Sequence, residues 1–147
     1  MNFKTFLLNE SCDHKGRMLS DIYKFSDKEI EATHDFIQIV FPLAEPSFWS
    51  SNKYFIESQQ QIDSLSKNKN VKEAILQSAS WYISFLKRNN HWKNVNDHNL
   101  KRITRMIKSV RLIVGDIEAD KIKKEIISIK NIEKLVSQKS IKYWENA

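Results

Sequence analysis

The stretch DHNLKRITRMIKSVRLIVG, from Asp97 to Gly115, decides the fold class. At 100° per residue, Leu100, Ile103, Met106, Ile107, Val110, Ile113 and Val114 gather on one arc of a helical wheel. Lys101, Arg102, Arg105, Lys108 and Arg111 gather on the opposite arc. Asp97 or Asn96 can accept from the unsatisfied N–H groups of the first turn, and Gly115 stands where a left-handed residue ends a helix. The spacing therefore predicts a helix over 98–114 with its apolar arc inward.

The same grammar extends to both sides. Asn70-Val71-Lys72-Glu73 opens a long helix with Ile75, Ala79, Tyr82, Ile83 and Leu86 facing inward, and residues 89–96 form a polar loop containing His91 and Trp92. Ser58-Gln59-Gln60-Gln61 caps a shorter helix to about Lys67. Ser26-Asp27-Lys28-Glu29 has the capping-box form, followed by a run that Pro42 terminates. In that run Ile30, His34, Ile37 and Phe41 fall on one side, although FIQIVF also alternates partly like a strand. Residues 42–52 read as a loop around Pro46. Two helices, Ile117 to about Ile129 and Asn131 to about Lys139, precede the tail KYWENA.

Two glycines and two prolines in 147 residues leave too few positive-φ turn positions for a hairpin-rich β fold. The length suits one domain with a core that needs no disulfide or metal. The expectation is all-α: a single compact multi-helix domain over 1–147.

The net charge of +6 is uneven. Residues 1–73 hold 9 basic and 11 acidic side chains, and residues 74–147 hold 15 and 7. The densest basic face is Lys87, Arg88, Lys93, Lys101, Lys108 and Arg111, together with Arg102 and Arg105. Such a face suits an anionic partner, nucleic acid included, or docks on the acidic N-terminal half. One cysteine, Cys12, and the lack of a secretory pattern favour a reducing, cytoplasmic setting. No apolar run is long enough for a transmembrane segment.

Familiar catalytic signatures are absent. One cysteine and four scattered histidines give no zinc spacing, and there is neither a glycine-rich phosphate loop nor a nucleophile elbow. Cys12 and His14, two apart, do not face each other on a helix. The expectation is no metal, no cofactor and no local sign of an enzyme, although a hydrolase or transferase assembled only by folding stays open. The constellation that stands out is polar. His98, Arg102, Arg105 and Ser109 lie at i, i+4, i+7 and i+11, and Asp27, Glu31, His34 and Gln38 repeat that spacing upstream. Two such stripes face to face would make a seam that either holds two helices together or receives a small anionic or zwitterionic ligand. An arginine in such a seam requires an acid partner, and residues 13–35 offer Asp13, Asp21, Asp27, Glu31 and Asp35.

These segments also carry a resemblance. DHKGRMLSDIYKFSDKEIEATHDFIQIVFPLAEPS, residues 13–47, and NDHNLKRITRMIKSVRLIVG, residues 96–115, resemble the two signature blocks of the opioid growth factor receptor conserved-domain family. The match covers about residues 3–130 and, more weakly, the C-terminal helix and tail 131–147, where KYWENA is similar to the ending of bacterial members. The chain departs at Ile39 and Val40, where the family has tryptophan and leucine, and at Asp97, where it has asparagine. The abundance of Ile, Lys and Asn is in keeping with a bacterial member.

The resemblance implies a helical binding module with a peptide ligand, which is Met-enkephalin in animal members; eukaryotic members are associated with the nuclear periphery. On this reading an interhelical polar site draws on Arg17, Asp21, His34, Gln38, His98, Arg102 and Arg105. The arginines would hold a carboxylate or phosphate, and the histidines would tune ligand charge, since imidazole changes charge near neutrality. The alternatives are nucleic-acid contact through the basic 87–111 face and a structural or interaction protein whose polar seam only holds the fold.

Overall fold

A computed structural model describes residues 1–47 and 54–147. Residues 48–53, which include the end of the expected 42–52 loop, lie outside the described residues. Ten helices and no strand occur among the described residues. They are α1 (Phe3–Leu7), α2 (Leu19–Ile22), α3 (Asp27–Ala32), α4 (Ile37–Val40), α5 (Gln59–Ser66), α6 (Lys69–Arg88), α7 (His98–Ile113), α8 (Asp116–Ile127), α9 (Ile132–Leu135) and α10 (Gln138–Glu145). Backbone contacts divide them into two compact units, Met1–Ser78 and Ala79–Ala147, with the division falling inside α6.

The N-terminal unit is built of short helices, each stopped or started by a side chain. Asn2 and Ser58 accept from the N–H groups of Thr5 and Gln61 at the heads of α1 and α5. Asp21 accepts from Met18 N–H at 2.9 Å to start α2. The capping box at α3 forms as its spacing predicts: Ser26 Oγ accepts from Glu29 N–H, and Glu29 returns the bond to Ser26 N–H at 2.7 Å. Buried apolar residues include Phe6, Ile22, Ile30, Phe36, Ile39, Phe41, Ile56, Leu65 and Ile75. Phe25 and Phe36 meet edge to face at 5.6 Å. The Tyr23 hydroxyl shares a 2.7 Å hydrogen bond with Ser78 Oγ on α6.

The expected helix from Asp27 to Pro42 is interrupted. It ends at Ala32, Thr33 is extended, and α4 restarts at Ile37. The cause is tertiary: Asp35, in the interruption, is held by Arg17 Nη1 at 2.9 Å. The row Asp27, Glu31, His34, Gln38 is consequently not a continuous helical stripe. His34 is exposed, whereas Gln38 is buried.

In the C-terminal unit α7 and α8 pack on each other across a short turn at Gly115, whose φ of +139° a side chain would strain. Leu100, Ile103, Met106, Ile107, Val110 and Ile113 are all buried, as the wheel requires. Asp97 caps α7 by accepting from Asn99 N–H at 2.8 Å. The end of α6 is made differently, for no glycine stands there. Trp92, fully buried in the following loop, donates its indole N–H to the carbonyls of Leu86 and Asn89, each at 2.9 Å.

The chain's end departs from expectation as well. The helix expected over 131–139 stops at Leu135 because Val136 is extended, and Ser137 then caps α10 through Ser140 N–H. KYWENA is therefore mostly helix rather than tail. α10 packs on α7 and α8. Its Trp144 is fully buried and donates its indole N–H to the Leu100 carbonyl at 3.1 Å. Trp144→Ala should destabilise the protein by about 3–5 kcal/mol through the cavity left behind. Trp144→Phe should cost less than the alanine change, and the two denaturation midpoints check this order.

Candidate functional site

The best-defined polar cluster of the N-terminal unit centres on Arg17. The segment Asp13–Arg17 is a tight loop, not a helix: Asp13 N–H donates to the Arg17 carbonyl at 2.8 Å, and Gly16 takes a φ of +77°. Asp13 Oδ1 accepts from the backbone N–H groups of Lys15 (2.8 Å) and Arg17 (3.0 Å). Its Oδ2 receives Arg17 Nε at 2.8 Å and lies 2.7 Å from Nη2. Arg17 Nη1 reaches Asp35 at 2.9 Å, and His14 Nε2 lies 3.7 Å from the same carboxylate. The guanidinium is also 5.9 Å from the Phe25 ring centre, and the His14 ring is 5.3 Å from that of Tyr54.

Burial alone would raise the Asp13 carboxyl. The Arg17 side chain and the two backbone donors outweigh it and hold the group below the usual carboxylate range. Arg17 is raised in turn, because its bonds to Asp13 and Asp35 outweigh its own desolvation.

Other residues singled out in this unit have more local roles. Asp21 caps α2 and lies 3.5 Å from Lys24, both on the surface. A cleft of about 440 Å³ elsewhere in the unit is lined by Phe3, Lys4, Tyr54, Phe55, Glu57 and Gln61 among others. None of the site residues expected from the sequence lines it.

In the C-terminal unit the polar row of α7 divides by depth. Asn99 and Ser109 are fully buried, Arg102 is 7% exposed, and His98 and Arg105 are half-buried. Asn99 organises the row's start: its Oδ1 accepts from Tyr82 Oη at 2.5 Å, and its Nδ2 donates to Asp97 at 2.8 Å. Arg102 Nη1 approaches the same Oδ1 at 3.5 Å. Arg102 therefore does not belong to a solvated basic arc, as the wheel alone suggests. The Asn99 amide and the aliphatic stem of the arginine allow it inward.

The expected basic face is thinned in the same way. Lys93 is buried, with Nζ donating to Asn90 Oδ1 at 2.8 Å and to the Lys130 carbonyl at 3.0 Å, 5.9 Å from the Trp92 ring centre. Arg111 is engaged by Asp116 (2.8 Å), Asp120 (2.7 Å) and the Ala147 carbonyl (2.8 Å). Bonds to Asp120 and Asp116 raise Arg111, and the same contact lowers Asp120. Lys87 pairs with Glu125 at 2.6 Å. Arg88, Lys101 and Lys108 are exposed.

Comparison with protein-family models, with curated proteins and with solved structures finds no match to this chain.

The Asp13 side chain has no solvent exposure, so removing its partner strands a buried charge. Arg17→Ala should cost about 3 kcal/mol at neutral pH. The sign of the pH dependence follows from a depressed carboxyl. Asp13's contribution is fully present above its unfolded value, about 4, and is lost as pH falls through the lower folded value. Thermal melts between pH 7 and pH 2 should therefore show a steep acid limb that Asp13→Asn flattens.

Proposed function

We propose that this chain is a helical binding module of the opioid growth factor receptor type. It takes a small anionic or zwitterionic ligand, such as a peptide terminus, through the arginines of its RITR stretch. The observation that carries the reading is the placement of Arg102. Arg102 as a residue is 7% exposed, and its guanidinium, approached by an amide that Tyr82 and Asp97 hold in turn, is oriented in advance. Pre-orientation reduces the ordering cost of binding a carboxylate or phosphate, and a planar donor fork fits either group. Half-buried His98 and Arg105 lie one turn to either side and extend the same row.

The remaining residues of the expected site contribute less to this reading. Arg17 is engaged by two carboxylates and Asp21 caps a helix, so both serve the fold. His34 is exposed in the break between α3 and α4, and Gln38 is buried on α4. The nucleic-acid alternative is weakened because Lys93 is buried on protein acceptors and Arg111 is engaged by Asp116 and Asp120.

Calorimetric titration with Met-enkephalin and with its C-terminally amidated form tests the proposal. The free carboxylate should bind at least about tenfold more tightly than the amide, which is about 1.4 kcal/mol. Arg105→Ala should weaken binding with a smaller loss of melting temperature than Arg102→Ala, since Arg105 is half-buried and Arg102 is buried. Arg102→Ala should lower both. A row that only holds the fold would instead show two lowered melting temperatures and no heat of binding with either peptide. Binding to duplex DNA that falls steeply with salt would favour the nucleic-acid alternative.

A further inference from the structure

The cleft of about 440 Å³ lies wholly within the N-terminal unit, and three segments wall it. The first turn of α1 supplies Phe3 and Lys4, and α5 supplies Gln61 and Ser64. Between them in sequence, Tyr54, Phe55 and Glu57 complete the lining. Each segment is fastened from behind. Phe6 and Leu7 seat α1 in the core, and Leu65 seats α5. Ile56, 2% exposed, donates its N–H to the Leu43 carbonyl at 2.8 Å, and Glu57 N–H donates to Gln61 Oε1 at 2.8 Å. Apolar burial and backbone bonds therefore hold the walls, and the charged side chains of the lining take no part in holding them. Lys4 is half-buried, yet its ammonium group meets no carboxylate and no hydrogen-bond acceptor among the described residues. The Glu57 carboxylate and the Ser64 hydroxyl are likewise without a partner among the described residues. Lys4 and Glu57 thus line one cleft without pairing with each other.

From this arrangement we infer that the cleft is a binding site for a small zwitterion with an aromatic side chain, an amino acid or a dipeptide. The ligand's carboxylate pairs with Lys4 and its ammonium group with Glu57, each through a charge-assisted hydrogen bond. The half-buried rings of Phe3, Tyr54 and Phe55 supply the apolar lining against which its ring packs. The Gln61 amide and the Ser64 hydroxyl add neutral hydrogen-bonding groups. Opposite charges in one concavity also discriminate. A simple anion leaves Glu57 unanswered and a simple cation leaves Lys4 so, whereas a zwitterion answers both. The cleft's 440 Å³ is on the order of fifteen water volumes and falls near the lower end of small-molecule sites, which suits a ligand of this size. The site shares no residue with the RITR row and does not depend on the ligand proposed there.

Calorimetric titration of the full chain with phenylalanine and with glycyl-phenylalanine tests it. Whichever of the two binds more tightly identifies the source, and either order supports the class. The N-acetylated and the C-amidated forms of the tighter binder each lack one charge and should bind about fivefold more weakly. Exchange of its phenylalanine for alanine should weaken binding at least as much. Glu57→Gln should remove the penalty for N-acetylation, and Lys4→Gln the penalty for amidation. Neither side chain makes a bond within the fold among the described residues, so both variants should melt close to the parent. Absence of binding by both phenylalanine and the dipeptide would overturn the proposal, as would blocked forms that bind as well as the zwitterion. So would binding that Arg105→Ala abolishes and that Lys4→Gln and Glu57→Gln leave unchanged, since the ligand would then sit on the RITR row.

Discussion

A carboxylate removed from water must be answered, and in the N-terminal unit Arg17 answers two. Asp13 draws in the N–H groups of its own loop and one edge of the guanidinium, while Asp35 takes the other edge. The second contact determines where α3 stops. Without it, the capping box at Ser26 and the apolar spacing as far as Phe41 would favour one helix. With it, Thr33 is extended and α4 begins afresh at Ile37. The four buried residues of α4, Gln38 among them, owe their placement to that interruption. One ion-pair triplet thus sets both the loop before α2 and the break after α3.

The C-terminal unit is organised by neutral groups. Asn99 receives a phenol, donates to the helix-capping carboxylate and positions a guanidinium, all at the start of the helix with the clearest amphipathic pattern. Bonds to neutral donors and acceptors also bring Lys93 inside, where an amide and a backbone carbonyl receive its ammonium group. Where carboxylates do take part, at Arg111, they lie closer to the surface and fasten the chain's last residue as well as α8. Cations counted as one basic face from the sequence thus divide into internal fasteners and a smaller solvated set.

The parts legible in the sequence were those governed by neighbours in the chain. The Ser26 box, the Ser58 cap, the inward row of α6 and both ends of α7 depend on spacings of three to seven residues, which a helical wheel reads directly. Contacts between distant residues were not legible. The break at Thr33 requires Arg17, sixteen positions earlier, and the inward turn of Lys93 requires the Lys130 carbonyl, 37 positions later. The Arg17–Asp13 pair is hidden from spacing alone, because residues four apart face each other on a helix and 13–17 is a loop. The signal was Gly16, whose positive φ closes the loop that brings the pair together. A helical pattern that runs through 131–139 hides the extended residue at Val136 and the Ser137 cap, and with them the start of α10 and its reach into KYWENA.

The way α6 ends has a consequence for how its loop can vary. Most helices are stopped by a residue in the chain itself, and a neighbouring loop is then free to change length. Here the stop is an indole that reaches back across the first half of the loop, so the distance from Asn89 to Trp92 is part of the stop. An inserted residue between them would move the indole away from both carbonyls and leave them to compete for water. Beyond Lys93 the chain passes through exposed Asn94, Val95 and Asn96 before the Asp97 cap, and there an added residue disturbs no buried bond. The loop has one half with a fixed length and one half in which length can drift, with the boundary at a buried lysine.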